Sequence, residues 1–280
     1  MLFPLVLCGL VISARAAYDP ALSLTALNYA TATYCEESSV ESWTCGPACK
    51  TLPGVSSVAL VSDFLEGTFG FVAYNNQTDT IAIAFRGSFN FINWVEDADY
   101  TQIDFPGHPG AKVHEGFYNA YQTLGYQVDD ALKTMVGQHP TARVIVTGHS
   151  LGGAMATFAA LEIRPLISQK IEFYSFGCPR VGNQAFSDHL ASVYPDYYRV
   201  VHTNDIVPHL PMTSMGFNHA GYEVWYDSDD DRTAFKVCPY TVGQPEDESC
   251  SDSYWVYDPT AHQDYLGVDV TGQCFNNELI

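Results

Sequence analysis

The stretch of this chain best equipped for chemistry is Gly148-His149-Ser150-Leu151-Gly152, continued by Gly153. Five letters of the G-x-S-x-G pattern carry little weight alone, but the flanks are specific. Residues 143–147 form a continuous apolar run suited to a strand buried on both faces, and residues 151–161 read as a helix. Strand, tight turn and helix are the setting of a nucleophile elbow, in which the glycines let neighbouring elements close on the turn and the serine hydroxyl stands clear at a helix N-terminus. A serine hydroxyl is a weak nucleophile that needs a base, and the base needs an orienting carboxylate. After such an elbow the chain order is serine, acid, histidine. Asp205 follows the strand predicted at 198–201 and the turn His202-Thr203-Asn204, at the carboxyl end of the sheet; Asp196 lies at the far end of the same strand. Of the later histidines, His209 is too near Asp205 in sequence to reach Ser150 easily. His262, in a late loop, can fold back over the sheet edge, and His219 remains a competitor on spacing alone. His149 should point away from the hydroxyl. An oxyanion needs two donors. The Leu151 N–H is one, and Ser88 in Phe85-Arg86-Gly87-Ser88, at an earlier strand end, offers the second. Arg86 is expected to be structural and held by a carboxylate. The chemistry needs no metal and no organic cofactor.

The elements that must position these groups follow from periodicity. Residues 20–36 read as a first helix, 54–63 as turn and approach, and 68–74 and 80–85 as two strands of a hairpin. Residues 115–138 read as one long helix stopped by His139-Pro140, with Phe117, Tyr121, Leu124, Val128, Leu132 and Met135 along one face. Strands at 171–176, 198–201 and 221–226 and a helix at 182–193 complete an alternation. That alternation implies an α/β-hydrolase type of fold: a mostly parallel central sheet with helices on both faces. Nothing in 280 residues that are 47% hydrophobic forces a division beyond one unit spanning 17–280.

Residues 1–16 (MLFPLVLCGLVISARA) read as a secretory signal ending in the small-x-small triplet Ala14-Arg15-Ala16. No later run reaches membrane-spanning length. Past Cys8 the remaining cysteines fit export and bridging. Cys45 and Cys49 would close a short loop, Cys238 and Cys250 an acidic turn-rich loop, and Cys35 with Cys274 would tie the termini. Cys178, at an apolar strand end, is left as the free thiol. The spacing suits no compact zinc site. Twelve Lys and Arg face 32 Asp and Glu, a formal net charge of −20. A phosphate backbone would be repelled, so nucleic acid is excluded as a partner, and anionic membranes are disfavoured. The acidic run 227–231 lacks the spacing and glycine of a calcium loop. Asn76-Gln77-Thr78, in the predicted hairpin turn, is an N-glycosylation sequon.

Taken together, these motifs resemble the class 3 lipases, especially the secreted enzymes of filamentous fungi. The likeness rests on Phe85-Arg86-Gly87-Ser88 with Trp94, Val113-His114-Glu115-Gly116-Phe117, the Ser150 elbow, Pro179-Arg180-Val181-Gly182-Asn183, residues 202–208, Phe217-Asn218-His219 and residues 258–262, in preserved order over nearly all of the chain past the signal. The resemblance implies a Ser150, Asp205, His262 triad with Ser88 and Leu151 at the oxyanion hole, and so selects His262 over His219. It implies three bridges as well; Cys178 departs from the family, which more often has a small residue there. It also implies a short helical lid, here 90–97, whose Phe91, Ile92, Trp94 and Val95 would turn inward when closed and outward at a lipid surface.

The expected activity is hydrolysis of fatty-acyl esters of tri- or diacylglycerol at an oil–water or membrane interface, by a secreted monomer. A phospholipase or galactolipase, a feruloyl or other small-ester esterase, and a non-enzymatic secreted binding protein share the fold. The apolar lid argues against feruloyl esters, and an intact Ser150, Asp205 and His262 argue against the last.

Overall fold

In a strand, successive side chains fall on opposite faces, so a run such as Val144-Ile145-Val146 needs cover on both. The computed structural model, which describes residues 17–89, 100–228 and 233–274, supplies it. The expected leader (1–16), the expected lid (90–97) and most of the acidic run (229–231) lie outside the described residues. The strands are β1 (Val55–Asp63), β2 (Thr68–Asn75), β3 (Thr80–Phe85), β4 (Gln102–Asp104), β5 (Lys112–His114), β6 (Arg143–His149), β7 (Ile171–Phe176), β8 (Tyr198–His202), β9 (Tyr222–Tyr226), β10 (Lys236–Cys238), β11 (Asp264–Tyr265) and β12 (Val268–Asp269). Eight of them form one sheet in the order β1-β2-β3-β6-β7-β8-β9-β10. From β3 to β9 every pairing is parallel, and antiparallel pairs close both edges. The sheet is thus mostly parallel, with helices on both faces.

One face carries Ile81, Ile83, Phe85, Val144 and Val146 under the helices Glu115–Gln122, Gly125–Gln138, Leu151–Ile163 and Gln184–Val193. The other carries Ala82, Ala84 and Ile145 under the helix Pro20–Ala32. Its small residues let that helix sit close, and the Thr147 hydroxyl donates to its Ala26 carbonyl at 3.2 Å. Asp19 caps the helix through Ala21 and Leu22 N–H.

Three elements differ from the sequence reading, the first being the opening helix, expected over 20–36 and ending at Ala32. Residues 54–63 contain an edge strand, in which Val58 and Leu60 pack on one face and Ala59 and Val61 on the other. Serines at 56, 57 and 62 and a register shift near Val55 obscure that alternation. The single helix expected at 115–138 is two. The Thr123 hydroxyl donates to the Ala120 carbonyl at 2.9 Å and meets the Thr68 hydroxyl of β2 at 2.8 Å, while Leu124 N–H turns back to Tyr121. A side chain bonding its own backbone, followed by the poor helix former Gly125, breaks the run.

Disulfides join Cys35 to Cys274, Cys45 to Cys49 and Cys238 to Cys250, and Cys178 is a free buried thiol. The first spans 239 residues of sequence and closes the longest loop. Replacing Cys35 and Cys274 by Ser should lower stability by about 2–5 kcal/mol, because the unfolded chain regains the freedom that the link removes. The measurement is chemical denaturation without reductant; an unchanged midpoint would contradict it.

Candidate active site

β6 delivers the chain to Ser150 and the helix Leu151–Ile163 carries it away, with no residue to spare. A Cβ on Gly148 would sit 2.1 Å from the Gly152 carbonyl oxygen, and one on Gly152 would sit 2.1 Å from that of Phe85. Only glycine fits either place. Ser150 itself has φ 60° and ψ −132°, a region that costs a non-glycine residue about 1–3 kcal/mol. Its N–H donates to the Phe176 carbonyl at 2.9 Å, and its own carbonyl accepts from Gly153 at 2.9 Å. The serine is 2% exposed at the N-terminus of a 13-residue helix, where developing negative charge is favoured.

Asp205 lies just past β8 and is fully buried. Its Oδ2 accepts from His262 Nδ1 at 2.7 Å and also from the Tyr265 hydroxyl, while its Oδ1 accepts from Val207 N–H at 2.9 Å. Burial, and then the adjoining carboxylate, raise the Tyr265 phenol well above its ordinary pKa, so it stays a donor. With Nδ1 turned to Asp205, the other ring nitrogen of His262 is Nε2. The ring lies against Gly177, where a Cβ would come within 2.7 Å of His262 Cε1. Gly177 follows Phe176, whose carbonyl holds Ser150. Ser150, His262 and Asp205 thus gather at the carboxyl ends of β6, β7 and β8.

His149 joins them from below. Its Nε2 is 2.8 Å from the His262 carbonyl oxygen and its Nδ1 2.7 Å from the Tyr34 hydroxyl. Burial, and next the neighbouring His262, hold its pKa well below the ordinary value, so the ring is neutral. A carbonyl only accepts; Nε2 therefore carries the proton and Nδ1 accepts from Tyr34. A Cβ on Gly87 would stand 2.8 Å from Ser150 Cβ, which sets Ser88, the expected oxyanion residue, one residue from the flank of Ser150. Leu151 is the first residue of the helix.

The other histidines are elsewhere. His219 Nε2–H donates to the Pro208 carbonyl at 2.7 Å, and His209 Nδ1 lies 2.6 Å from Asp252. Arg86 differs from expectation. Among the described residues its guanidinium donates to the Gly67 carbonyl at 2.8 Å and lies over the Phe69 and Phe89 rings, rather than on a carboxylate.

The family model for class 3 lipases matches residues 82–215. A solved triacylglycerol lipase, described as having a serine-protease triad for its catalytic centre, superposes with a TM-score of 0.83 at 31% identity, over 93% of this chain and 99% of that one. The chain belongs to the class 3 lipase family. The lipase of Rhizomucor miehei is 34% identical over 231 residues, which is 81% of this chain and 62% of that relative. The secreted mono- and diacylglycerol lipase A of Penicillium cyclopium is 34% identical over 166 residues, 59% of this chain and 54% of that relative. The chain therefore spans 54–62% of the length of these curated relatives.

In this class 3 lipase, Tyr265 and Tyr34 went unnoticed in the sequence. Each is one tyrosine among 18, and only the fold shows which of them reach the Asp205 and His149 side chains.

The buried histidines also have a consequence for stability. His149 and His219 resist protonation in the folded chain, because burial lowers both pKa values, while in the unfolded chain they titrate near ~6.5. Below that pH the unfolded state binds more protons, so their contribution is intact above about pH 6.5 and is lost as pH falls from there. Thermal unfolding between pH 7 and 5 should show a falling midpoint, with a shallower slope in His149→Gln. An equal slope in that variant would exclude His149 as a source.

Proposed function

We propose that this class 3 lipase hydrolyses fatty-acyl esters of glycerol through an acyl-enzyme on Ser150. The observation that carries the reading is the buried 2.7 Å hydrogen bond from His262 to Asp205, set beside a strained serine at a helix N-terminus. In the first half-reaction His262 Nε2 takes the Ser150 proton as the hydroxyl oxygen bonds to the ester carbonyl carbon. The Leu151 N–H and Ser88 hold the oxyanion. As the tetrahedral intermediate collapses, the ester C–O bond breaks and His262 returns the proton to the leaving alcohol. Water then attacks the acyl-enzyme by the same route, releasing a fatty acid and restoring Ser150. Asp205 keeps the imidazole in the required tautomer and stabilises its charged form.

Substrate class is supported by the relatives, one named a triacylglycerol lipase and one a mono- and diacylglycerol lipase. It is supported too by the apolar character of 90–97 (Phe91, Ile92, Trp94, Val95), which we read as a lid over the site. The leader at 1–16, the disulfides and a relative named as secreted support a secreted protein working as a single 17–280 unit, a monomer at a lipid interface. Asn76 is exposed in the β2–β3 turn, accessible to a glycan. Among the described residues no helix is long and apolar enough to cross a membrane.

The test is a hydrolysis panel of emulsified long-chain triacylglycerol, phosphatidylcholine, a galactolipid and methyl ferulate. Triacylglycerol should turn over. Ser150→Ala should cut kcat by about 10⁶-fold, and Asp205→Asn by about 10⁴-fold through loss of the correct tautomer. Cleavage of a polar lipid or ferulate alone would keep the serine chemistry and overturn the substrate. Activity retained in Ser150→Ala would overturn both.

A further inference from the structure

Large apolar side chains stand almost wholly in solvent at two loop tips on the end of the sheet where Ser150 sits. Phe64 is 97% and Leu65 91% exposed in the β1–β2 turn, and Trp255 is 96% and Val256 74% exposed in the segment before His262. Strand direction places both. Gly70 of β2 pairs with Phe85 at the carboxyl end of β3, so the β1–β2 turn projects past that end, and its Gly67 carbonyl accepts from Arg86, two residues before Ser88. On the far side, Asn204, the neighbour of Asp205, donates its Nδ2–H to the Val256 carbonyl and accepts from Asp258 N–H, both at 2.9 Å. The two tips thus flank the reaction site, one from the β3 side and one from the β8 side. Phe89, which follows the expected oxyanion residue, adds a 61% exposed ring.

Single exposed apolar residues are ordinary on a protein surface; apolar pairs at two separate tips on one end of the sheet, on either side of the nucleophile, are not. Their form indicates the partner. The tips protrude separately and offer no continuous complementary face for a protein, whereas a fluid apolar medium receives separated side chains equally well. The net charge of −20 selects an uncharged surface over an anionic one. We infer that Phe64-Leu65 and Trp255-Val256 are two anchoring points that seat the protein on a neutral lipid surface with the Ser150 end facing it, without recourse to residues 90–97. The inference rests on the ester-hydrolase reading for the use of that orientation; the anchoring itself is measured separately.

The experiment is partition of the Ser150→Ala protein onto phosphatidylcholine vesicles, alone and with either Phe64→Ser plus Leu65→Ser or Trp255→Ser plus Val256→Ser. Each pair should lower the partition coefficient about ten-fold or more. Phosphatidylglycerol vesicles should bind no better than phosphatidylcholine. The same pairs with Ser150 intact should hydrolyse a short-chain ester below its solubility limit within about two-fold of the parent, which also checks their folding. Partition unchanged in either pair, or tighter binding to the anionic vesicles, would overturn the inference. Vesicle binding that depends on both pairs, in a parent that hydrolyses no ester, would sink the activity reading and sustain the anchoring.

Discussion

The end of the sheet that carries Ser150 depends on how closely three stretches of backbone approach one another at residues 148–153. The carbonyl of Gly152 lies where a Cβ of Gly148 would be, and the carbonyl of Phe85 where a Cβ of Gly152 would be. That contact sets the helix Leu151–Ile163 directly against the end of β3, and so brings Gly87 and Ser88 alongside the serine. A methyl group at either glycine would force apart the backbone that holds Ser150 in place. The strain stored at Ser150 is tolerable because the hydrogen bonds to Phe176 and from Gly153 hold its peptide groups on both sides.

The second constraint is electrostatic. A carboxylate buried like Asp205 would be costly unless its oxygens were satisfied. Three donors converge on it, from Val207, His262 and Tyr265, and each comes from a different position in the chain. The arrangement is directional as well as stabilising. Tyr265 and His262 share Oδ2, so the carboxylate cannot rotate toward solvent without abandoning both. His149 completes the frame from the turn that carries Ser150: by donating to the His262 carbonyl it fixes the His262 backbone relative to Ser150.

Local patterns made most of the sheet legible in the sequence. β3 and β7 fall on the residues that periodicity marks, and the elbow is recognisable because a double-faced apolar strand and an apolar helix bracket it. What stayed hidden depends on contacts far apart in sequence. β1 is masked by its serines, and the break at Thr123 follows from a hydroxyl meeting β2 some 55 residues away. Spacing alone left His219 beside His262, since both follow Asp205; the fold separates them by turning His219 to the Pro208 carbonyl. Arg86 is expected on a carboxylate, yet among the described residues a backbone carbonyl and two aromatic faces take its guanidinium.

Asp205 and His262 share no element, so something must keep their two loops in register. Arg180, just beyond β7, is placed to do this. Its buried guanidinium donates to the His209 and Pro211 carbonyls, a few residues after Asp205, and to both oxygens of Glu246 and to Asp252, in the segment that leads to His262. The Cys238–Cys250 bridge shortens the free length of that same segment, and His209 bonds Asp252 across it. Five donors in a planar fork can grip two loops at once, which the single ammonium of lysine cannot. The same cluster holds the Glu246 and Asp252 carboxyls below their ordinary pKa against the opposing effect of burial, chiefly through Arg180 for Glu246 and through His209 for Asp252. Such a buried cluster adds little to net stability once desolvation is counted. Its value lies in geometry: it ties the Asp205 loop to the segment leading to His262 through one side chain, which supports the 2.7 Å bond from His262 to Asp205.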